Sequence, residues 1–293
     1  MTDHIVLQGI SARGTHGVLD FEKAQGQVFV ADVALDVDLR PAAASDELAR
    51  TVNYAELAQE VVEVLEGESL DLIESVAGRI ADAALRHRLV EAVEVTVHKP
   101  EAPVGVPFTD VRVTVRRERD VPVVIALGAN LGDARATLER AVGQLDGTDG
   151  LRVDRVSALF ETDPVGGPEQ PVYLNAVAVA RTRLTPESLL ERLHAIESRH
   201  GRVRETRWGA RTLDLDLVQY GDPDDSSDVV ADSPELTLPH PCAHERGFVL
   251  APWAALDPGA RLRVDGSVRA VSELAAQVDT SGVRPGPDWR PVP

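Results

Sequence analysis

The chain has 293 residues, 43% hydrophobic and 27% charged, a size and composition that suit two globular domains of about 150 residues each. A formal net charge of -18 opposes general affinity for nucleic acid or an anionic membrane, because the long-range field repels a polyanion. No apolar run would span a bilayer, the first residues lack a signal peptide's basic and apolar segments, and the lone Cys242 needs no oxidising compartment; a cytoplasmic protein is expected.

In chain order, strands are predicted over 5–10 and 27–39, where Val33, Leu35, Val37 and Leu39 alternate with Ala34, Asp36 and Asp38. Asn53 with Glu56 makes a capping-box-like helix start, and Leu57, Val61, Val64 and Leu65 follow at helical spacing. A second helix over 71–87 carries Ile73, Val76, Ile80 and Ala84 on one stripe. Two alternating strands close the unit, Val93, Val95, Val97 and then Val111, Val113, Val115. The order β-β-α-α-β-β predicts an α+β domain on an antiparallel sheet, over 1–118. The charged run 116–120 and Pro122 end it.

The second domain, 122–282, opens with an apolar strand over 123–127, then Gly128 to Gly132 and a helix to Leu145. Strands are expected near 153–160 and 174–181, and Thr185 with Pro186 opens a helix ending near His200. The run 201–216 follows, Gly-Arg-Val-Arg-Glu-Thr-Arg-Trp-Gly-Ala-Arg-Thr-Leu-Asp-Leu-Asp. Its four arginines, Arg202, Arg204, Arg207 and Arg211, precede a strand with Asp214 and Asp216 at alternate positions. Residues i and i+2 of a strand share a face, so the two carboxylates form one patch while Leu213, Leu215 and Leu217 face a core. Such a patch suits a hard cation such as Mg²⁺ and the arginines suit a polyphosphate. A solvated strand face beside a basic loop is the plainer reading, and an RNA-contacting loop through Trp208 is a third, disfavoured by the acidic balance. An acidic loop spans 222–235, helices are expected near 247–256 and 271–278, and the Pro/Gly-rich tail, 283–293, is expected to fray. The alternation of strands and helices predicts an α/β sandwich.

All but two of the 30 basic residues are arginine, leaving Lys23 and Lys99. Against that bias a retained lysine is a candidate for proton transfer, which arginine cannot perform. No lysine follows position 99, which excludes a Walker-type phosphate loop from the second half.

The strings 126–132 (Ala-Leu-Gly-Ala-Asn-Leu-Gly), Thr162-Asp-Pro-Val-Gly166, Gln170-Pro-Val-Tyr-Leu-Asn175, 207–216, Leu238-Pro-His-Pro241 and Arg246-Gly-Phe248 together resemble 6-hydroxymethyl-7,8-dihydropterin pyrophosphokinase of folate synthesis. The resemblance implies a ferredoxin-like α/β sandwich and ATP-dependent pyrophosphoryl transfer that leaves AMP. It implies that Asp214 and Asp216 hold two Mg²⁺ ions bridging the ATP phosphates, with Arg202 and Arg211 as catalytic groups on those phosphates. Arg204 and Trp208 would belong to a loop closing over ATP, and Glu197, Thr237, His240 and Arg246 would help to bind the nucleotide. Tyr173 and Phe248 would sandwich the pterin, with Asn175 and backbone near Thr162 reading its edge. Glu235 and Pro241 depart from the family, which often has arginine and tyrosine there.

Residues 3–117 carry Gly14-Thr-His-Gly17, Phe21-Glu22, Gly26-Gln27, Thr51-Val-Asn-Tyr54, Leu72-Ile-Glu-Ser-Val-Ala77 and Val97-His-Lys-Pro100, which resemble dihydroneopterin aldolase. The resemblance implies the tunnelling fold, whose subunits join their sheets into a barrel with active sites at subunit contacts, and therefore a homo-oligomer. Retro-aldol cleavage needs a base and an electron sink; the substrate's C6=N5 imine is the sink, so no cofactor is expected in this domain. Lys99 would move the proton, assisted by Glu22 and by Tyr54 from a neighbouring subunit. Glu74 would anchor the pterin beside the backbone of Leu72 and Ile73. Asn53 stands where a histidine is common. The chain is thus expected to convert dihydroneopterin to 6-hydroxymethyl-7,8-dihydropterin and glycolaldehyde, and then to use ATP on that pterin. The alternative makes the first domain an inactive oligomerisation platform for a pyrophosphokinase.

Overall fold

A computed structural model of the chain describes residues 3–164, 170–201 and 211–289. It divides into two units between Arg119 and Asp120. The first contains β1 (Asp3–Gly14), α1 (Asp20–Gln25), β2 (Gln27–Val37), α2 (Arg40–Ser45), α3 (Tyr54–Glu66), α4 (Ile73–Arg86), β3 (Val90–His98) and β4 (Arg112–Glu118). Its four strands form one antiparallel sheet in the order β1-β2-β3-β4.

Helix α3 starts where Asn53 Oδ1 accepts the Ala55 amide at 3.2 Å, which satisfies one of the orphan donors of the first turn. Leu57, Val61 and Leu65 of α3 and Ile73, Val76 and Ile80 of α4 bury against Phe29, Val33 and Leu35 of β2 and Val93, Val95 and Val97 of β3. Each of those larger side chains contributes about 2 kcal/mol by leaving water. The helices α1 and α2 fall in segments without periodicity, because six residues make too few turns to show one. On the sheet face away from the helices, Thr96 bonds Thr114 and Arg116 reaches Asp36 at 2.7 Å.

The second unit runs β5 (Val121–Ala129), α5 (Ala134–Asp146), β6 (Leu151–Val156), β7 (Phe160–Thr162), β8 (Tyr173–Thr182), α6 (Pro186–Arg199), β9 (Asp214–Tyr220), β10 (Ala231–Asp232), β11 (Thr237–Leu238), α7 (Gly247–Leu256), β12 (Arg261–Val264), β13 (Ser267–Ala270), α8 (Val271–Gln277) and β14 (Val283–Pro285). In its main sheet β5 lies between β8 and β9, while β6 and β7 both pair with β8. The succession β5-α5-β6/β7-β8-α6-β9 is therefore the β-α-β-β-α-β ferredoxin-like arrangement. Strand β5 is buried on both faces. Val123, Ile125 and Leu127 pack with Leu138, Val142, Leu189 and Leu193 of α5 and α6, whereas Val124 packs with Val249, Leu250 and Trp253 of α7. Two covers explain why this strand reads as a continuous apolar run rather than an alternation.

As far as Trp289 the tail does not fray. Val283 pairs with Thr162 and Pro285 with Phe160, so β14 adds an edge strand beside β7, where a proline costs no ladder bond. Trp289 is buried and its Nε1 donates to Ser157 O at 2.9 Å. Composition pointed to disorder because it weighs prolines and glycines without seeing the groove that the tryptophan fills. Trp289→Ala is expected to destabilise this unit by about 3 kcal/mol, read as a lower denaturant midpoint; an unchanged midpoint would contradict the packing. Among the described residues no helix is long and apolar enough to cross a membrane.

Candidate functional site

In the second unit Leu213 and Leu215 are fully buried, and Asp214 and Asp216 alternate with them on the other face of β9, part-exposed at 18% and 31%. Strand register places Asn175 of β8, Gly128 of β5 and Asp214 of β9 side by side in one row. A Cβ at Gly128 would stand 2.9 Å from Asn175 Oδ1 and 3.9 Å from Asp214 Cβ. That glycine lets an amide and a carboxylate face one another across a single intervening strand, two strand spacings or roughly 10 Å apart.

Around this row, Asn175 Nδ2 donates to Thr162 Oγ1 at 2.7 Å, and Tyr173 OH donates to Gln170 Oε1 at 3.0 Å. Burial pushes the Tyr173 phenol above its ordinary value and keeps it a donor. The Arg211 guanidinium pairs with Asp214. Arg246 Nη1 donates to Asp216 Oδ2 at 3.2 Å, His240 Nε2 lies 3.7 Å from the same oxygen, and Arg246 stacks over the Phe248 ring at 5.6 Å. Burial lowers the His240 imidazole below its usual value, against the pull of Asp216. The structure thus gathers Asp214, Asp216, Arg211, His240, Arg246 and Phe248, with Tyr173, Asn175 and Thr162 alongside. Glu197 is buried in α6 instead of lining a surface, and its Oε1 accepts the Leu215 amide at 2.8 Å, between the two aspartates. Thr237 is exposed on β11 and has no hydrogen bond to the cluster among the described residues. Arg202, Arg204, Arg207 and Trp208 lie outside the described residues.

In the first unit, Lys99 follows β3 and is buried at 8%, with Nζ 2.5 Å from Oε1 of Glu22, itself 3% exposed. Gln27 Nε2 and the Leu19 amide also donate to that carboxylate, at 3.2 and 3.1 Å. Burial alone would raise the Glu22 pKa; Lys99, the Leu19 amide and Gln27 outweigh it and hold the group below the ordinary carboxylate range. A Cβ at Gly17 would come within 2.4 Å of the Glu22 carboxylate, so this turn needs glycine. Lys23, by contrast, makes an exposed pair with Asp71. Tyr54 and Leu72 are 62% and 53% exposed, Glu74 is exposed and Ile73 is buried. None of the four hydrogen-bonds to the Lys99–Glu22 pair among the described residues.

His16 is fully buried: Nε2 donates to Leu65 O at 3.0 Å and Nδ1 accepts the Leu70 amide at 3.2 Å. Both nitrogens are committed to backbone as a neutral ring, and burial first, then Lys99, lowers its pKa. The unfolded chain gains this proton near pH 6.5 while the fold resists it, so His16 makes stability fall as pH drops below that value. Glu22, depressed in the fold, adds stability above 4.5 that is lost at lower pH. The melting temperature of this unit is expected to decline in two stages on acidification, and His16→Gln should remove the upper stage; an unaltered profile would contradict the assignment.

Residues 5–116 match the dihydroneopterin aldolase family, and residues 124–258 match the 7,8-dihydro-6-hydroxymethylpterin-pyrophosphokinase family. The dihydroneopterin aldolase of Streptomyces coelicolor is 54% identical over 117 residues, 40% of this chain and 98% of that protein. The 2-amino-4-hydroxy-6-hydroxymethyldihydropteridine pyrophosphokinase of Mycobacterium tuberculosis is 42% identical over 161 residues, 54% of this chain and 84% of that protein. The chain belongs to both families. The solved structure of E. coli dihydroneopterin aldolase in complex with neopterin aligns at 32% identity over 39% of this chain and 98% of that one, with a TM-score of 0.37.

In the pyrophosphokinase unit no group of three or more His, Cys, Asp or Glu side chains could hold a metal by itself among the described residues. Two carboxylates on one strand face fit Mg²⁺ nonetheless, because Mg²⁺ takes one or two carboxylates and completes its shell with water and substrate phosphates. In the aldolase unit the residue that sequence reasoning passed over is Gln27, which steadies Glu22; its place in Gly26-Gln27 was the available signal.

Proposed function

We propose that the chain performs two consecutive steps of folate biosynthesis: retro-aldol cleavage of 7,8-dihydroneopterin in the first unit, then pyrophosphoryl transfer from ATP to the hydroxymethyl group of the product in the second. The observation that carries this reading is that each unit holds its own polar centre, the buried Lys99–Glu22 pair and the Asn175–Asp214 row. Burying an ammonium and a carboxylate is costly, so an inactive platform would gain nothing from the Lys99–Glu22 pair.

In the aldolase step, a proton leaves the C2′ hydroxyl, the C1′–C2′ bond breaks, and the electron pair passes to the C6=N5 imine; reprotonation at C1′ leaves the hydroxymethyl group and glycolaldehyde departs. Lys99 moves that proton, Glu22 fixes the amine, and Glu74 anchors the pterin with Leu72 and Ile73 backbone beside it. Tyr54, exposed on its own subunit, reaches the centre of a neighbour. The 12-residue edge strand β1 and the other edge, β4, support a homo-oligomer built by continuing the sheet, as do the exposed Val18, Leu19 and Phe21 beside Glu22.

In the transfer step, Asp214 and Asp216 would hold two Mg²⁺ ions with the nucleotide. Such ions neutralise charge on the phosphates. Arg211 and Arg202 meet the charge developing on the transferred group. Arg246 and His240 contact the nucleotide, together with Arg204, Trp208 and Thr237, and Glu197 supports the strand that carries the acids. Tyr173 and Phe248 take the faces of the pterin, Asn175 and Thr162 its edge. The cytoplasm is the proposed location. Purified protein incubated with dihydroneopterin, ATP and Mg²⁺ should yield glycolaldehyde, AMP and the pterin pyrophosphate by mass; absence of either AMP or glycolaldehyde would remove that half of the reading.

A further inference from the structure

Asn130 ends the motif strand, just beyond β5, and is 4% exposed. Its backbone amide donates to Arg211 O at 3.1 Å and its Oδ1 accepts the Arg211 amide at 2.8 Å, a two-bond clip on that residue's backbone. Its Nδ2 donates to Gln170 Oε1 at 3.3 Å and to Pro171 O at 3.1 Å. Gln170 Oε1 in turn accepts the Tyr173 hydroxyl at 3.0 Å. A carboxamide offers one acceptor and two donors on a short stem, and here all three are used. Aspartate could not donate to the two oxygens, and a hydroxyl could not reach both sides.

We infer that Asn130 is a positioning residue that ties Arg211, on the phosphate side of the site, to Tyr173, on the pterin side. It touches neither substrate in this assignment. It acts by holding the two sides at one separation, so that a bound pterin and the ATP phosphates meet in register. The inference rests on the pyrophosphokinase reading above. The strands bring Asn175 and Asp214 into one row, but Arg211 and Gln170 lie outside any strand, and the Asn130 side chain bonds to both.

Two variants separate the arms of this clamp. Asn130→Ala removes the side-chain bonds of both arms and keeps only the backbone bond to Arg211 O; it should raise the KM for 6-hydroxymethyl-7,8-dihydropterin and lower kcat for AMP formation, each about tenfold or more, as expected for unsatisfied buried groups. Asn130→Asp keeps the acceptor for the Arg211 amide but sets a carboxylate against Gln170 Oε1 and Pro171 O. It should raise the pterin KM by about tenfold while kcat stays within about threefold of the parent. Far-UV circular dichroism and a parent-like thermal transition of the second unit report its fold, and the Asp variant carries the test if the Ala variant does not fold. Parent-like constants in the Asp variant, or equal losses in kcat and pterin KM, would overturn the inference. A parent protein that makes no AMP would instead overturn the reading on which it rests.

Discussion

Lys99→Ala is expected to cut glycolaldehyde release from dihydroneopterin by about a thousandfold, the scale of losing a positioned proton-transfer group. Lys99 is buried against Glu22 at 2.5 Å, so the substitution has a second effect. It leaves a buried carboxylate without its cation, which costs about 3 kcal/mol of stability. The Glu22 pKa should then rise, since Lys99, the strongest influence opposing its burial, is gone while the Leu19 amide and Gln27 remain. Lys99→Arg separates chemistry from stability. Arginine keeps the ion pair but cannot give up its proton, so this variant should fold well and remain inactive. Undiminished glycolaldehyde release by Lys99→Ala would refute the proton-transfer role of Lys99, whereas a parent protein that releases none would return the first unit to the role of an oligomerisation platform.

Asp214→Ala is expected to abolish AMP formation, with a loss on the order of a thousandfold or more, while glycolaldehyde release is spared. Asp214 is one of two carboxylates on the exposed face of β9, and it lies in the row with Asn175. The substitution removes half of the proposed metal platform and the counter-charge of Arg211. Its backbone stays in register, because Leu213 and Leu215 hold the strand from below and Glu197 holds the Leu215 amide. Titrating Mg²⁺ in Asp214→Asn should show a higher metal requirement without loss of fold. AMP release by Asp214→Ala at the parent rate would refute the metal assignment.

The two units were legible where a pattern repeats or a residue type is scarce. Period-two valines announced β2, β3 and β4, helical stripes announced α3 and α4, and the same alternation separated Asp214 and Asp216 from their leucines. Lysine scarcity singled out Lys99, and the structure buries it against Glu22. Elements shorter than two turns, such as α1 and α2, left no period to detect. The resemblance places Glu197 with the nucleotide; its bond to the Leu215 amide depends on the packing of α6 under β9 and could not be read from the sequence.

By itself, then, the sequence determined which chemistries the chain can host, since side-chain type decides what can donate, accept, carry charge or lose a proton. It also determined the face on which each strand residue sits, because that follows from the backbone repeat alone. The tertiary structure decided which distant residues meet: Glu22 with Lys99, Asn175 with Asp214 across Gly128, Asn130 with both Gln170 and Arg211, and Trp289 with Ser157. Those meetings depend on strand order, register and the filling of a core. They are sums over many weak contacts between segments far apart in the chain, and no local window contains them.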